Sequence, residues 1–358
     1  MAGQPGFFDL DQRLGQLSSG GDPLERLSAV VDFDLFRKPL VKALKRSDRS
    51  KGGRPPYDAV LMFKVLVLQA LYNLSDDGCE YQIRDRLSFM RFLGLGLEDA
   101  TPDAKTIWLF REHLIQAGAV DKLFARFDKH LARAGYLAMG GQIIDASIIS
   151  APKQRNTDGE RVDIKAGRVP RAWKDKPAKL AQKDRDARWT LKRGRRKVDA
   201  QGKPYPEIAV PDFGYKNHIS TDRAHGLIRR YQVSDAAHND GRMLPRLLDK
   251  ANTASDVWAD TAYRSKRNER HLAQNGFVSR VHTKKPRGRP MSGRQSKANA
   301  ARSKVRSRVE HVFGEQKARM GLFVRTIGLV RARTKIGMAN LVYNMKRLVW
   351  LEGRTAPA

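Results

Sequence analysis

The sequence has little that would cross-link it or hold a soft metal. A single cysteine, Cys79, excludes a disulfide framework and a cysteine-rich zinc site within one chain. The eight histidines show no His-x3-His pair and no Cys/His spacing, so zinc is not expected. Acids are scarce: 38 Asp plus Glu stand against 69 Lys plus Arg, a formal net charge of +31. No run approaches the ~18 apolar residues of a membrane span. The opening residues, MAGQPGFFDLDQRLG, lack the charged-then-apolar order of a signal peptide. Basic residues are spread through long stretches and are not gathered on one amphipathic helix, which argues against a membrane-surface role. These absences leave a soluble chain, cytoplasmic and in a reducing compartment, with a polyanion as partner, because each phosphate met by Lys or Arg releases a counterion. With 358 residues, 41 % of them hydrophobic, the chain is no disordered basic tail and can bury a core.

Residues 1–50 read as an N-terminal arm with a short helix over Pro23–Asp32, ending at the punctuating Gly52–Pro56. Residues 51–137 read as helical. Tyr57–Leu74 is apolar almost all round, as in a buried helix. Asp76–Leu93 and Thr101–Ala117 read as two more helices, the second opened by Thr101 as its cap, Pro102 in the first turn and Asp103 at the positive dipole end. A further helix carries Leu123 and Phe127 and ends near Gly135. From 138 to 333 the period changes to a mixed sheet with helices on its faces. Strands are expected over Gly140–Ile149, Gly214–Thr221, Leu227–Val233, Asp256–Asp260 and Phe277–Thr283, and helices over Asp240–Asn252, Ser265–Asn275 and Lys297–Met320. Residues 153–212 interrupt with 18 basic and 9 acidic residues and read as a partly ordered insertion. A C-terminal amphipathic helix over Thr334–Glu352 and a tail complete residues 334–358.

Three carboxylates carry the chemistry. Asp145 lies inside the first strand, between Ile143-Ile144 and Ile148-Ile149, where a carboxylate must be paired or metal-bound. Asp260 ends the strand Val257-Trp258-Ala259, at the carboxyl end where ligand sites of α/β sheets collect. Glu310 is the one acid between Glu269 and Glu315 on the late helix. If the three converge on one sheet edge, their hard oxygens suit Mg²⁺, or Mn²⁺ in its place. Two such ions about 4 Å apart activate water and stabilise the leaving oxygen of a phosphodiester. The bland alternative is that each acid pairs with one of the many arginines.

The stretches GRPPYDAVLMFKVLVLQALYNLSD, QIRDRLSFMRFLGL and ADTAYRS, with the late helix, resemble the DDE transposases of bacterial insertion sequences, in particular the family named for insertion sequence five. The family's late-helix pattern is Y-x2-R-x3-E-x6-K; Arg306, Glu310 and Lys317 stand at those intervals, with Ser303 in place of the tyrosine. The resemblance covers roughly residues 50–350 and implies a ribonuclease-H-like core with Asp145, Asp260 and Glu310 as the catalytic, metal-binding triad. It implies two Mg²⁺ ions, cleavage at the element's ends and strand transfer into target DNA. Lys317 would hold the cut strand's end, and Arg306 would contact its backbone.

Asp76–Ala117 would then be a helix-turn-helix-like region binding the terminal inverted repeats, with Lys105 and Arg111 exposed on its second helix and Arg84, Arg86 and Arg91 beside them. A packing or dimerisation bundle is the other reading of those helices. His238 either approaches the metal site or caps a helix, while His218 reads as strand packing and Tyr263 as an aromatic packed behind the site. Arg287 and Arg289, in Lys285–Pro290, resemble an AT-hook core or a generic phosphate-binding loop. Trp173 and Trp189 either stack on bases or anchor the insertion. The partners expected are double-stranded DNA and, because two ends are cut in concert, a second copy of the chain on the nucleoid. A non-catalytic DNA-binding protein and a general metal-dependent nuclease are the rival functions.

Overall fold

The computed structural model describes residues 6, 8–44, 55–193 and 209–355. The chain divides into a helical unit (Met1–Leu137, Glu315–Gly321 and Gly337–Ala358) and a sheet unit (Ala138–Gly314 and Leu322–Ile336).

The helical unit begins with α1 (Asp9–Ser19), α2 (Pro23–Val30), a 3-10 turn at Phe33–Phe36 and α3 (Arg37–Leu44). It continues with α4 (Ala59–Tyr72), α5 (Asp76–Asp85), α6 (Leu87–Leu93), α7 (Ala104–Gln116) and α8 (Ala119–Arg133). The stretch expected to be an arm is part of the core. Leu40 and Phe36 are fully buried, and Phe36 meets Phe63 of α4 at 4.7 Å and Phe127 of α8 at 6.0 Å. Helix α4 is the buried helix read from its all-round apolar pattern. Asp58 starts it by accepting from the Val60 and Leu61 amides, and Asn73 ends it at φ 51, a left-handed conformation that asparagine tolerates. Gly52, Gly53 and Arg54 of the expected punctuation lie outside the described residues.

Two helices differ from expectation. Asp76–Leu93 is not one helix, since Arg86 is extended (φ −113, ψ 115) and separates α5 from α6. The break lets Cys79 and Ile83, then Phe89, Met90, Phe92 and Leu93, all reach the core, which one straight helix would not allow. Helix α7 is capped by Asp103, which accepts from the Thr106 amide at 2.6 Å, and not by Thr101. The Thr101 carbonyl is taken by the Tyr57 hydroxyl and its Oγ1 by Arg84.

In the sheet unit β1 (Gln142–Ser150) is followed by α9 (Asp158–Lys165), α10 (Arg171–Lys174), α11 (Pro177–Gln182) and β2 (Arg188–Arg193). Then come β3 (Ala209–Asp222), β4 (Ile228–Asp235), a 3-10 turn at Asp240–Met243, α12 (Leu244–Leu247) and β5 (Asp256–Trp258). A 3-10 turn at Thr261–Tyr263, α13 (Lys266–Gln274), β6 (Val278–Ser279), α14 (Gly293–Arg306) and α15 (Arg308–Gly314) follow. The last helix, α16 (Leu329–Thr355), starts in this unit. The sheet order is β2-β3-β1-β5-β6, with β4 also on β3. Strand β1 runs antiparallel to β3 and parallel to β5, so the sheet is mixed. Gly141, at φ 88, lets the chain enter β1 beside β5, where a Cβ would lie 2.5 Å from the Trp258 ring.

Alternation along β1 sends Ile144 to one face and Asp145 to the other. The Ile144 face carries a core of Met243, Leu244, Leu247, Val257, Tyr263, Leu272 and Val281. Several lengths differ from expectation. The insertion contributes β2 to the sheet, because β3 reaches back to Ala209 and offers a partner edge; residues 194–208 lie outside the described part. The helix expected over Asp240–Asn252 stops at Leu247, where Leu248 turns extended and the Asp249 amide is taken by Gln142 Oε1. Of the strand expected over Phe277–Thr283, regular strand is confined to Val278–Ser279, although the Arg280 and His282 amides still donate to the Val257 and Ala259 carbonyls. The late helix breaks at Ser307, and residues Glu315–Arg319 form a π-helical turn.

Candidate active site

Asp145 stands in the middle of the central strand, paired in register with Ile219 of β3. Its side chain is 15 % exposed. Its Oδ1 accepts from the Ala146 amide at 2.8 Å, and its Oδ2 accepts from Arg306 Nη1 at 2.6 Å. Burial pushes this carboxyl up to about 6, although the Arg306 charge opposes the shift; the negative charge of Asp260 adds to it. Arg306 ends α14, and the break at Ser307 starts α15 with Glu310 in its first turn. The second Arg306 amino group lies 3.7 Å from Glu310 Oε1, and Glu310 is open to solvent. One guanidinium thus links an acid of the sheet to an acid of the helix.

Asp260 lies two residues beyond β5 and caps the turn Thr261–Tyr263 by accepting from the Ala262 amide at 2.8 Å. Its charge is felt at Asp145, at Tyr263 and at His282. Tyr263 is 1 % exposed, and its hydroxyl has no hydrogen-bond partner among the described residues. Burial and the charges of Asp145, Asp240 and Asp260 hold its proton well above the usual phenol range.

Residues 137–345 match the family model described as a transposase DDE domain, and residues 12–113 match the one described as a transposase domain (DUF772). The chain belongs to the DDE transposases. No solved structure matches it.

DDE transposases are enzymes that act on DNA with divalent cations, and the donors of this transposase suit such an ion. Asp145, Asp260 and Glu310 offer only hard oxygens. Asp145 is a desolvated carboxylate whose charge requires a cation nearby, and Arg306 supplies one. Among the described residues no three His, Cys, Asp or Glu side chains stand close enough together to hold an ion. Asp145 and Glu310 are therefore joined through Arg306, Asp260 acts on Asp145 through its charge, and the three do not form a closed cage.

The transposase's other expected site residues fall in different places. Ser303, at the family's tyrosine position, is exposed with its Oγ 3.4 Å from His282 Nε2. Burial and the Arg306 charge hold His282 below the usual imidazole range, while Asp260 opposes the shift. Nothing in its flanking sequence distinguishes His282, because its place depends on the backbone pairing of its amide with the Ala259 carbonyl. His238 is half-buried and its ring meets the buried His218 edge-on at 6.4 Å. His218 is fully buried, as strand packing requires, with Nε2 on Ser234 Oγ at 2.8 Å. Arg287 and Arg289 are exposed on the loop before α14, where Gly288 takes φ 71. Lys317 is exposed on the π-helical turn and belongs to the helical unit.

In the helical unit Lys105 is exposed on α7, but Arg111 is not the exposed reader expected. Its side chain is 19 % exposed and both its amino groups hold Asp76, each at 2.6 Å. A bidentate partner one helix away consumes the fork that would otherwise meet a base or phosphate. Arg91 is spent likewise on Asp22 and on the Leu14 carbonyl. Trp173 is fully buried with its Nε1 on Glu160, so it anchors the insertion; Trp189 packs on Phe213 at 5.2 Å.

Proposed function

We propose that this enzyme is a transposase of the insertion-sequence-five family with a ribonuclease-H-like core, and that Asp145, Asp260 and Glu310 are its catalytic acids. The observation that carries this reading is the Asp145–Arg306–Glu310 linkage at the middle strand of a mixed sheet, beside the turn that bears Asp260. The strand order, with β1 central, antiparallel to β3 and parallel to β5, supports the core assignment.

Asp145 would hold Mg²⁺ from the strand, Asp260 from its capped turn and Glu310 from α15. Bound there, divalent cations would polarise the scissile phosphate and lower the pKa of the attacking water or 3′-hydroxyl. Arg306, already beside two of the acids, would meet the phosphate backbone of the strand being cut. Arg287 and Arg289 would hold flanking DNA through phosphates, and Lys105 would do so on the helical unit at the terminal inverted repeats. Lys317 would hold the cut strand's end, a role supported by its spacing from Glu310. We propose that two copies act together on paired element ends at the nucleoid, with cleavage followed by strand transfer.

The test is a duplex carrying the element's end, incubated with Mg²⁺ and a target plasmid. Nicking at the end followed by joining is expected. Nicking that ignores the end sequence and never joins would make the protein a general nuclease instead.

A further inference from the structure

We infer that Lys216 and Asn268 are positioning residues for Asp260: together they tie the segment 238–243 between β3 and the turn that bears this acid. The inference rests on the reading of Asp145 and Asp260 as metal-binding acids.

Lys216 is on β3, in register with Ile148 of β1, the same strand that carries Asp145. Its side chain is 13 % exposed, and its ammonium donates to the His238 carbonyl at 2.7 Å and to Asp240 Oδ1 at 2.8 Å. His218, two residues along the same face, backs this carboxylate with Nδ1 at 3.9 Å from Asp240 Oδ1. Asp240 opens the turn Asp240–Met243, which lies on the turn Thr261–Tyr263 with no room to spare. A Cβ on Gly241 would sit 2.6 Å from the Ala262 carbonyl oxygen. The amide of Asn268, itself 3 % exposed, donates to the Gly241 carbonyl and to the Tyr263 carbonyl, both at 2.8 Å. A continuous path therefore runs from β3 through Lys216, Asp240, Gly241 and Asn268 to the turn that Asp260 caps.

Stability alone does not call for this path. A half-buried ammonium–carboxylate pair gains little over a hydrophobic pair of the same volume, because desolvation offsets the Coulomb gain. What the pair supplies is direction: one cation fixes both a backbone carbonyl and a side chain of the segment. Groups that orient metal-binding residues in this way typically change metal affinity or activity by about 10–100-fold when removed.

The test uses the full chain and Mn²⁺, with binding followed by electron paramagnetic resonance in the absence of DNA. For Lys216→Met and Asn268→Ala, Mn²⁺ should bind about 10–100-fold more weakly, and half-saturating Mn²⁺ for end cleavage should rise by the same factor. Cleavage at saturating Mn²⁺ should recover, Lys216→Arg should restore wild-type affinity, and binding of end DNA without metal should not change. A merely structural role would lower the melting temperature and leave the Mn²⁺ affinity of the folded fraction intact, and that result overturns the inference. Should Lys216→Met fail to fold, Asp240→Asn keeps the side chain's shape, removes its charge and is judged in the same way. Asp260→Asn separates the two levels. If it leaves Mn²⁺ affinity unchanged, the metal-site reading is lost. If it abolishes binding while folded Lys216→Met binds normally, only the positioning role is lost.

Discussion

In the helical unit, arginine and lysine side chains are spent on acids nearby: Arg91 on Asp22, Arg111 on Asp76, Arg37 on Asp34 and Asp58, and Lys346 on Glu315. Around β1 of the sheet unit the balance is different. A buried carboxyl is pushed up to about 6, a buried histidine is pushed down to about 4, and a buried tyrosine hydroxyl has no partner among the described residues. Paired charges hold a bundle together at modest net gain, whereas strongly perturbed groups are commoner at functional sites; here they lie on β1, on β3 and in the turn Thr261–Tyr263.

The sharpest way to break this contrast is Asp145→Asn. End cleavage should fall on the order of 10³-fold or more, as expected when several kcal/mol of transition-state stabilisation is removed, while binding of end DNA stays within about twofold. Full activity in this variant, or in Asp260→Asn or Glu310→Gln, would dissolve the site.

Acid should act on the sheet unit through His218, whose folded value of about 4 lies below its ordinary value because burial disfavours its charge. A depressed histidine contributes stability that is present above pH ~6.5 and is lost as pH falls toward 4, when the unfolded chain takes up the proton first. Asp145, raised to about 6, gains stability over the same fall in pH and offsets part of this, so the His218 share, about 2 kcal/mol between pH 7 and pH 4.5, is read as the difference between wild type and His218→Gln in urea unfolding. Asp240 faces this ring and opposes the shift, while Lys216 and His238 add to it. His218→Gln should lose less stability in acid than wild type, and an unchanged profile in that variant would assign the acid sensitivity elsewhere.

In the helical unit Asp76→Ala should lower stability by about 2 kcal/mol, because it strands the half-buried Arg111. Metal dependence should not move; a shifted Mn²⁺ requirement would show that the bundle does more than hold its own fold. The smallest effect belongs to the exposed cations. Lys105→Ala, Arg287→Ala and Arg289→Ala should each reduce the slope of log affinity against log salt by about 0.9, with cleavage at saturating protein unchanged.

Much of this was legible because local rules suffice where neighbours in sequence are neighbours in space. The all-round apolar pattern of α4 needs no partner to be read. Asp145 stands out as an acid flanked by isoleucines, and Asp260 as the acid just beyond a short strand. Local rules failed where packing overrode propensity. Arg86 is extended inside a helical pattern so that two apolar faces can both reach the core. Asp103 takes the cap of α7 because Thr101 is occupied by Tyr57 and Arg84. The Lys216–Asp240–Asn268 path was not legible at all, since its members are ordinary polar residues on a strand, a turn and a helix.

By itself the sequence determined the charge, the helix-to-sheet order and the acids worth asking about, because composition and periodicity are properties of the chain read in order. Arg111 and Arg306 look alike at that level, each an arginine on a predicted helix. Only the folded chain sends one to Asp76, 35 residues away, and the other to Asp145, 161 residues away. Coulomb attraction is too short-ranged in water to choose such partners, so the choice falls to the packing that brings their backbones together.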